Sequence, residues 1–308
     1  MRPLLVTPGD PQGVGPEVVV KTLADRRDAC CAIVGDWAAV AQEAARWSLP
    51  VVRVEGIPEH LPGDAVPVFD PGCATEPVEA AAIRAAALEA LAGRAAGLVT
   101  GPIHKGRLAA RGFRFMGHTD FLGHLCGVDE PVMAFVGASL RVVLVTVHIA
   151  LRTVAEMASE ERVLRVLRIA DQALAGQLHL ERRRLLVCGV NPHAGERGMM
   201  GTEEEEAIHP AVTRARREGI DARGPMSAEA AFHLAAEGDG EMVVAMYHDQ
   251  GLVPLKALHF GHSVNWTLGL PIVRTSVDHG TADDIAGKGI ADPSSFRAAL
   301  DLAERLTR

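Results

Sequence analysis

The stretch Met246–Gly289, MYHDQGLVPLKALHFGHSVNWTLGLPIVRTSVDHGTADDIAGKG, sets more chemistry between its apolar runs than a hydrophobic core has use for. His248 and Asp249 stand side by side, Lys256 follows on the same segment, and Asn265 and Arg274 come after it. The stretch closes on Asp278, His279, Gly280, Thr281, Ala282, Asp283 and Asp284, where polar side chains meet small ones. Any one of these residues reads equally well as part of a surface loop. Gathered behind the apolar runs Met242–Tyr247 and Leu268–Val273, they read as one wall of an active site carried on strand ends.

Outward from that wall, short runs rich in Val, Leu and Ile alternate with Ala-rich helical patterns, which predicts an α/β fold. The expected strands are Leu4–Thr7, Ala32–Val34, Gly97–Thr100, Val142–His148, Leu185–Val190, Met242–Tyr247 and Ile272–Ser276. Most are unbroken apolar runs, as strands covered on both faces require. Val163, Leu164, Val166, Leu167, Ala170 and Leu174 recur at helical spacing and predict a buried stripe. Thr202 with Glu205 has the spacing of a capping box, so the Glu203–Glu206 run reads as an acidic first helical turn rather than a metal site.

Three of the strands lead into a histidine. VVLVTVH ends at His148, LLVCGV is followed by Asn191, Pro192 and His193, and MVVAMY is followed by His248. A lone histidine is usually a hydrogen-bonded structural residue, but three at the carboxyl ends of strands sit where open α/β sheets bind ligands. Converging on one divalent cation, they would make a catalytic site with open positions. Imidazoles suit Zn, Co, Ni or Fe better than Ca, and Mg is a less natural match that water and substrate oxygens could complete. Asp249 is then either a hydrogen-bond acceptor for His248 or a general base.

Composition narrows the remaining classes. The chain has 308 residues, 48% hydrophobic and 23% charged, which describes an ordinary globular protein. A formal net charge of −8 argues against nucleic-acid and anionic-membrane partners, while leaving room for a local anion site. The five cysteines form no CxxC pair, and Cys188 lies in an apolar run as an inert thiol would; a reducing cytoplasm is expected. Pro131–Leu151 is interrupted by Arg141, Gly137 and Ser139 and is not a membrane span.

Seven segments together, GDPQGVGPE, TGPIHKG, GHTDFLG, VTVHIALR, NPHAGE, YHDQGLVPLK and VNWTLGLPIVRTSVDHGTA, resemble the 4-hydroxythreonine-4-phosphate dehydrogenase family of pyridoxal phosphate biosynthesis. The resemblance runs from residue 4 to about 290. It implies a two-lobed α/β/α fold like that of isocitrate and isopropylmalate dehydrogenases, with residues 1–120 plus 265–308 as the cofactor-side lobe. Residues 121–264 would then form the metal-binding and dimerisation lobe. It further implies a homodimer with its active site at the subunit interface, and metal ligands at His148, His193 and His248.

The family's substrate-binding residues fall on His118, Thr119, Lys256, Asn265 and Arg274, and Lys256 or Asp249 would act as the base. Asp278, His279, Gly280, Thr281 and Asp284 resemble a cofactor loop of isopropylmalate dehydrogenases. There a carboxylate at Asp284 would take the ribose hydroxyls and favour NAD over NADP. The substrate implied is a small phosphorylated hydroxy acid, 4-phosphooxy-L-threonine. Family members with these motifs also act on 4-phosphothreonate, 4-phosphoerythronate or a terephthalate-derived diol. From another class, phosphate acyltransferases share a related fold.

Overall fold

The computed structural model describes residues 2–58 and 63–308. Its strands in chain order are β1 (Leu4–Thr7), β2 (Cys31–Val34), β3 (Val51–Val54), β4 (Val66–Phe69), β5 (Gly97–Thr100) and β6 (Val132–Val136). There follow β7 (Arg141–Leu144), β8 (Leu185–Cys188), β9 (Ala222–Met226), β10 (Met242–Ala245), β11 (Val264–Leu268) and β12 (Val273–Ser276). The chain divides into two compact units, Met1–Pro131 with Leu270–Arg308, and Val132–Gly269.

In the first unit the strand order is β3-β4-β2-β1-β5-β12, and the pairs described are all parallel. β1, β2 and β5 are buried along their whole length, because helices cover both faces. Helix Val78–Leu91 packs on β1, β2 and β5, and helix Ser294–Leu306 packs on β5 and β12. Parallel register puts Thr7, Thr100 and Ser276 level at the carboxyl ends of three adjacent strands. Helix His118–Cys126 is fixed to this unit by Phe121 and Leu122, both fully buried. The Phe121 ring lies 5.1 Å from that of Phe113, 4.9 Å from that of Phe115 and 5.0 Å from the Arg84 guanidinium.

In the second unit the order is β11-β6-β7-β10-β8-β9. β7, β10, β8 and β9 run parallel, while β6 is antiparallel to both β11 and β7. Helix Glu160–Gly176 buries Val163, Leu164, Val166, Leu167, Ala170 and Leu174, the stripe that its spacing predicts. Ser159 caps it, its side chain accepting from the Arg162 N–H at 3.3 Å. The core of this unit joins β7, β8 and β10 to helices Ala228–Ala236 and His248–His259 through Val142, Leu186, Val243, Ala231 and Leu255.

Several expectations are corrected here. The run expected as a strand to His148 leaves regular pairing at Leu144, and β3, β4, β6, β9 and β11 were not anticipated. The unit boundaries fall after Pro131 and Gly269 rather than after residues 120 and 264. The aromatic cluster keeps helix His118–Cys126 with the first unit, and pairing with β6 keeps β11 with the second. The capping box does not form. Glu204–Ile208 is wound as a π-helix with no side-chain cap, and Glu204 is buried.

Because Phe121 anchors the helix that begins at His118, Phe121→Ala should lower the unfolding free energy by about 3–5 kcal/mol in urea titrations. A loss below 1 kcal/mol would mean that the aromatic cluster does not hold the helix.

Candidate active site

Each unit presents its polar side chains at the carboxyl ends of its parallel strands. In the first unit Arg274, on β12, is buried, and its guanidinium donates from Nε and Nη2 to Thr100 Oγ1 at 3.2 and 2.8 Å. Thr100 in turn donates to Ser276 Oγ at 2.9 Å, so the hydroxyl row at the strand ends orients the cation. Burial pulls the guanidinium below its ordinary range. A desolvated cation of this kind attracts an anion that offsets the lost hydration.

Beside it begins helix His118–Cys126. Gly117, at its N-cap, offers no side chain, so no side-chain oxygen caps the first turn. Residue 117 also has Lys105 close by: a Cβ on Gly117 would lie 3.6 Å from Lys105 Cε. The His118 ring is held well below the usual histidine value, by burial first and then by the Arg274 and Lys105 charges. It is therefore a neutral imidazole at pH 7, and its Nε2 is sealed from solvent without a hydrogen-bond partner. Thr119 follows, half-buried in the same first turn. Guanidinium, ammonium, a neutral imidazole and a helix N-terminus together form an anion-binding set.

The closing loop Asp278–Asp284 belongs to the same unit. Thr281 is buried, and its carbonyl accepts the Val14 N–H at 3.0 Å. It presses on Gly13, where an added Cβ would come within 2.9 Å of Thr281 Cβ. His279 and Gly280 are exposed, and the Asp278 backbone N–H donates to Ser295 Oγ at 3.3 Å. Asp283 is engaged by Arg107, whereas the Asp284 carboxylate has no hydrogen bond or ion pair among the described residues. Next to the loop, Gly13, Pro16, Asp36, Gln42, Ala286 and Gly287 line a cavity of about 450 Å3.

In the second unit two of the three histidines come together. Pairing between the segments after β7 and β10 continues to Thr146, whose N–H and hydroxyl donate to the Met246 carbonyl at 3.1 and 2.7 Å. Two residues on, His148 and His248 face each other with ring centroids 5.7 Å apart. His248 Nδ1 is bonded to Asp249 Oδ1 at 2.7 Å, which leaves Nε2 as the ring's outward nitrogen. Two imidazoles on one tetrahedral ion, each at about 2.0–2.1 Å from it, have centroids roughly 5 Å apart, close to the spacing seen. The Asp249 carboxylate is thus placed to orient the His248 ring.

His193 is not part of that pair. Val187 pairs with Val244, so Asn191 is level with His248 and His193 comes two residues later. From His193 to Arg197 the backbone is left-handed throughout, with φ of 53, 52, 75, 43 and 57°. Such conformations cost about 1–2 kcal/mol per non-glycine residue and persist only where the surroundings impose them. Glu204 imposes this one: its carboxylate accepts the Val190 and Asn191 N–H groups at 2.7 and 2.8 Å and Asn191 Nδ2 at 3.0 Å. His193 lines a separate pocket of about 300 Å3 with Glu196, Glu204 and His209. Among the described residues, no three His, Cys, Asp or Glu side chains are gathered closely enough to hold a metal ion.

Lys256 lies on the helix that starts at His248, about 12 Å further along its axis. Asn265, on β11, is half-buried, with its Oδ1 closed off and unpartnered. The described residues contain three such orphaned side-chain atoms: Thr7 Oγ1, His118 Nε2 and Asn265 Oδ1. Buried polar atoms without partners are rare and call for a ligand or ordered water. Two of the three fall on expected substrate residues. Thr7, Arg107 and Glu204 were not anticipated: a strand-end threonine, a helical arginine and one glutamate among four carry no local mark of what they will touch.

The chain and its fold are similar to those of known proteins. Residues 29–303 match the family model "Pyridoxal phosphate biosynthetic protein PdxA". A 4-hydroxythreonine-4-phosphate dehydrogenase of Geobacter metallireducens is 44% identical, over 99% of this chain and 95% of its own. The crystal structure of the enzyme of that name from Klebsiella pneumoniae superposes with a TM-score of 0.91 at 34% identity, covering 100% of both chains. A terephthalate 1,2-cis-dihydrodiol dehydrogenase from Burkholderia xenovorans is more distant, with a TM-score of 0.69 and 28% identity over 98% of this chain and 97% of its own.

The neutral imidazole at position 118 has a pH signature. Its folded-state affinity for protons lies below that of the unfolded chain, so its contribution to stability is complete above pH 6.5 and is lost as the pH falls toward the lowered value. Urea midpoints of the wild type should therefore fall more steeply below pH 6.5 than those of His118→Asn. Parallel curves would show that the ring is not held neutral.

Proposed function

The chain belongs to the pyridoxal phosphate biosynthetic PdxA family, the 4-hydroxythreonine-4-phosphate dehydrogenases, and from that premise we propose that it oxidises 4-phosphooxy-L-threonine at C3 with NAD(P). The 3-oxo acid so formed then loses CO2 to give 3-amino-2-oxopropyl phosphate. The observation that carries this reading is that His118 Nε2 in the first unit and Asn265 Oδ1 in the second, both on expected substrate residues, are buried without a hydrogen-bond partner. The proposed reaction is cytoplasmic, in keeping with the buried Cys31 and Cys188 thiols, which burial pushes up to about 12 and makes unreactive. No helix among the described residues is long and apolar enough to cross a membrane.

In this reading Arg274, Lys105, Thr119 and the first turn of the helix at His118 grip an anionic group of the substrate, and neutral His118 donates one hydrogen bond to it. Asn265 orients the substrate through its amide. His148 and His248 would hold one divalent ion, Zn, Co or Mg, with His193 as the candidate third ligand. Such an ion would supply positive charge that lowers the hydroxyl pKa, and a nicotinamide cofactor would supply the hydride acceptor.

Lys256 takes the hydroxyl proton, because Asp249 is bound to His248 Nδ1. The resulting ammonium then faces the ketone oxygen as the carboxylate electron pair moves into the carbon skeleton and CO2 departs. Asp278, His279, Gly280 and Thr281 form the cofactor loop, and the open Asp284 carboxylate receives the ribose hydroxyls. Like charge there opposes a 2′-phosphate, which favours NAD over NADP.

A second copy of the chain completes the metal-bearing unit. Leu151, Met199, Val253, Leu258 and Phe260, each more than 60% exposed, follow His148, His193 and His248 in sequence, and a partner subunit would cover such large apolar side chains.

The test compares NADH and NADPH formation with 4-phosphooxy-L-threonine, 4-phosphothreonate, 4-phosphoerythronate and a terephthalate cis-dihydrodiol, with sedimentation run on the same sample. We expect the phosphooxythreonine to give the highest kcat/KM, at least about tenfold greater with NAD than with NADP, from a two-chain species. Preference for the unphosphorylated diol, for which the relative of 28% identity is named, would overturn the substrate assignment. Full activity in a single-chain species would remove the dimer.

A further inference from the structure

Arg107 lies in none of the groups assigned so far, yet its guanidinium is the most heavily engaged at the strand ends of the first unit. Nε donates to Asp10 Oδ2 at 2.6 Å. The two terminal nitrogens donate to Asp283 in parallel, Nη1 to Oδ2 at 2.7 Å and Nη2 to Oδ1 at 3.0 Å. Three segments meet at this one side chain: the loop after β1 that carries Asp10, the helix after β5 that carries Arg107, and the loop after β12 that carries Asp283.

The Asp10 end is rigid. Its carboxylate is 2% exposed and also accepts the Gln12 N–H at 2.9 Å, and its backbone N–H donates to the Pro102 carbonyl at 2.9 Å. Gly9 leaves no room for movement, since a Cβ there would sit 2.0 Å from that same carbonyl oxygen. The Asp283 end is the reverse, 45% exposed and on a loop with little regular structure. Beyond Arg107, its partners are the Thr281 hydroxyl within the loop and His104 Nε2 at 3.7 Å. His104 is itself held by the Arg107 N–H, which donates to its Nδ1 at 3.1 Å.

Besides the bond from Asp278 N–H to Ser295 at its start, the loop from Asp278 to Asp284 is held by the Thr281 carbonyl on Val14 N–H and by Asp283 on Arg107. The Arg107 contact lies one residue before Asp284. With Asp283 turned onto Arg107, the next carboxylate is the one left open.

We propose that Arg107 is a positioning residue for the nicotinamide cofactor: it ties Asp283 to the fixed Asp10 and thereby presents Asp284, rather than Asp283, to the ribose hydroxyls. This rests on the cofactor reading above and deepens it. Arg107 touches neither substrate nor cofactor in this scheme, so its effect falls on dinucleotide binding and not on affinity for the phosphorylated acid. Lysine at 107 could reach one carboxylate but not both in the forked geometry, and only partial function would survive.

The experiment uses the full-length protein with Arg107→Met, Arg107→Lys, Asp283→Asn and the Arg107→Met/Asp283→Asn double variant. Asp283→Asn leaves the Asp10–Arg107 pair in place, so it loosens the loop with little risk to folding. Two quantities are read: amide hydrogen exchange across residues 278–285 without cofactor, and the Kd for NAD by fluorescence titration.

We expect faster exchange in that segment and a Kd raised about tenfold in Arg107→Met, the scale of one lost charge-assisted contact. Asp283→Asn should behave similarly, Arg107→Lys should fall between, and the double variant should be no worse than Arg107→Met within about twofold. KM for the phosphorylated acid should stay within about twofold throughout. A wild type that binds NAD while Arg107→Met binds it equally well, or exchanges at the wild-type rate, overturns this inference alone. A wild type that binds neither NAD nor NADP overturns the cofactor reading and this inference with it.

Discussion

A parallel strand covered on both faces can offer chemistry only at its ends, and this constraint organises both units. β1, β2, β5, β8 and β10 are buried along their length, so their side chains are committed to packing. What the strands can still control is register. It aligns Thr7, Thr100 and Ser276 in one unit, and in the other it brings His148 and His248, one register position apart, to facing rings. His193 comes two residues beyond the position level with His248, within a left-handed turn beside the buried Glu204.

Burial then sets the electrostatics. A guanidinium at Arg274, closed off from water, and an imidazole at His118 held neutral are each costly in the free protein. Their cost falls when an anion arrives, because the charge that opposes a proton on His118 is the charge that attracts a phosphate or carboxylate. Fixed cations and an uncapped helix end need no rearrangement to meet a charged substrate, which is the condition for electrostatic preorganisation.

Much of this was legible in the residues. Unbroken apolar runs located β1, β2, β5, β7, β8, β10 and β12, since burial on both faces leaves a compositional mark. Histidines after strands drew attention to His148 and His248 for the same reason. The shorter or more polar strands, such as β3 with Arg53 and β9 with Arg223, Gly224 and Pro225, carry no such mark. The Glu203–Glu206 run was misleading because a capping box and a buried clamp use the same residue type. Only the tertiary placement of Val190 and Asn191 shows that Glu204 points inward. The Arg107 fork is of the same kind, joining residues far apart in the chain that no local pattern connects.

The central claim is that imidazoles at the ends of adjacent strands bind a divalent ion on which oxidation of a phosphorylated hydroxy acid depends. Anomalous scattering from crystals grown with Co or Zn addresses it directly. The account predicts a single peak within about 2.0–2.3 Å of a nitrogen of both His148 and His248, absent from crystals of His148→Ala. A peak elsewhere, or none in a protein that still turns over substrate, would contradict it.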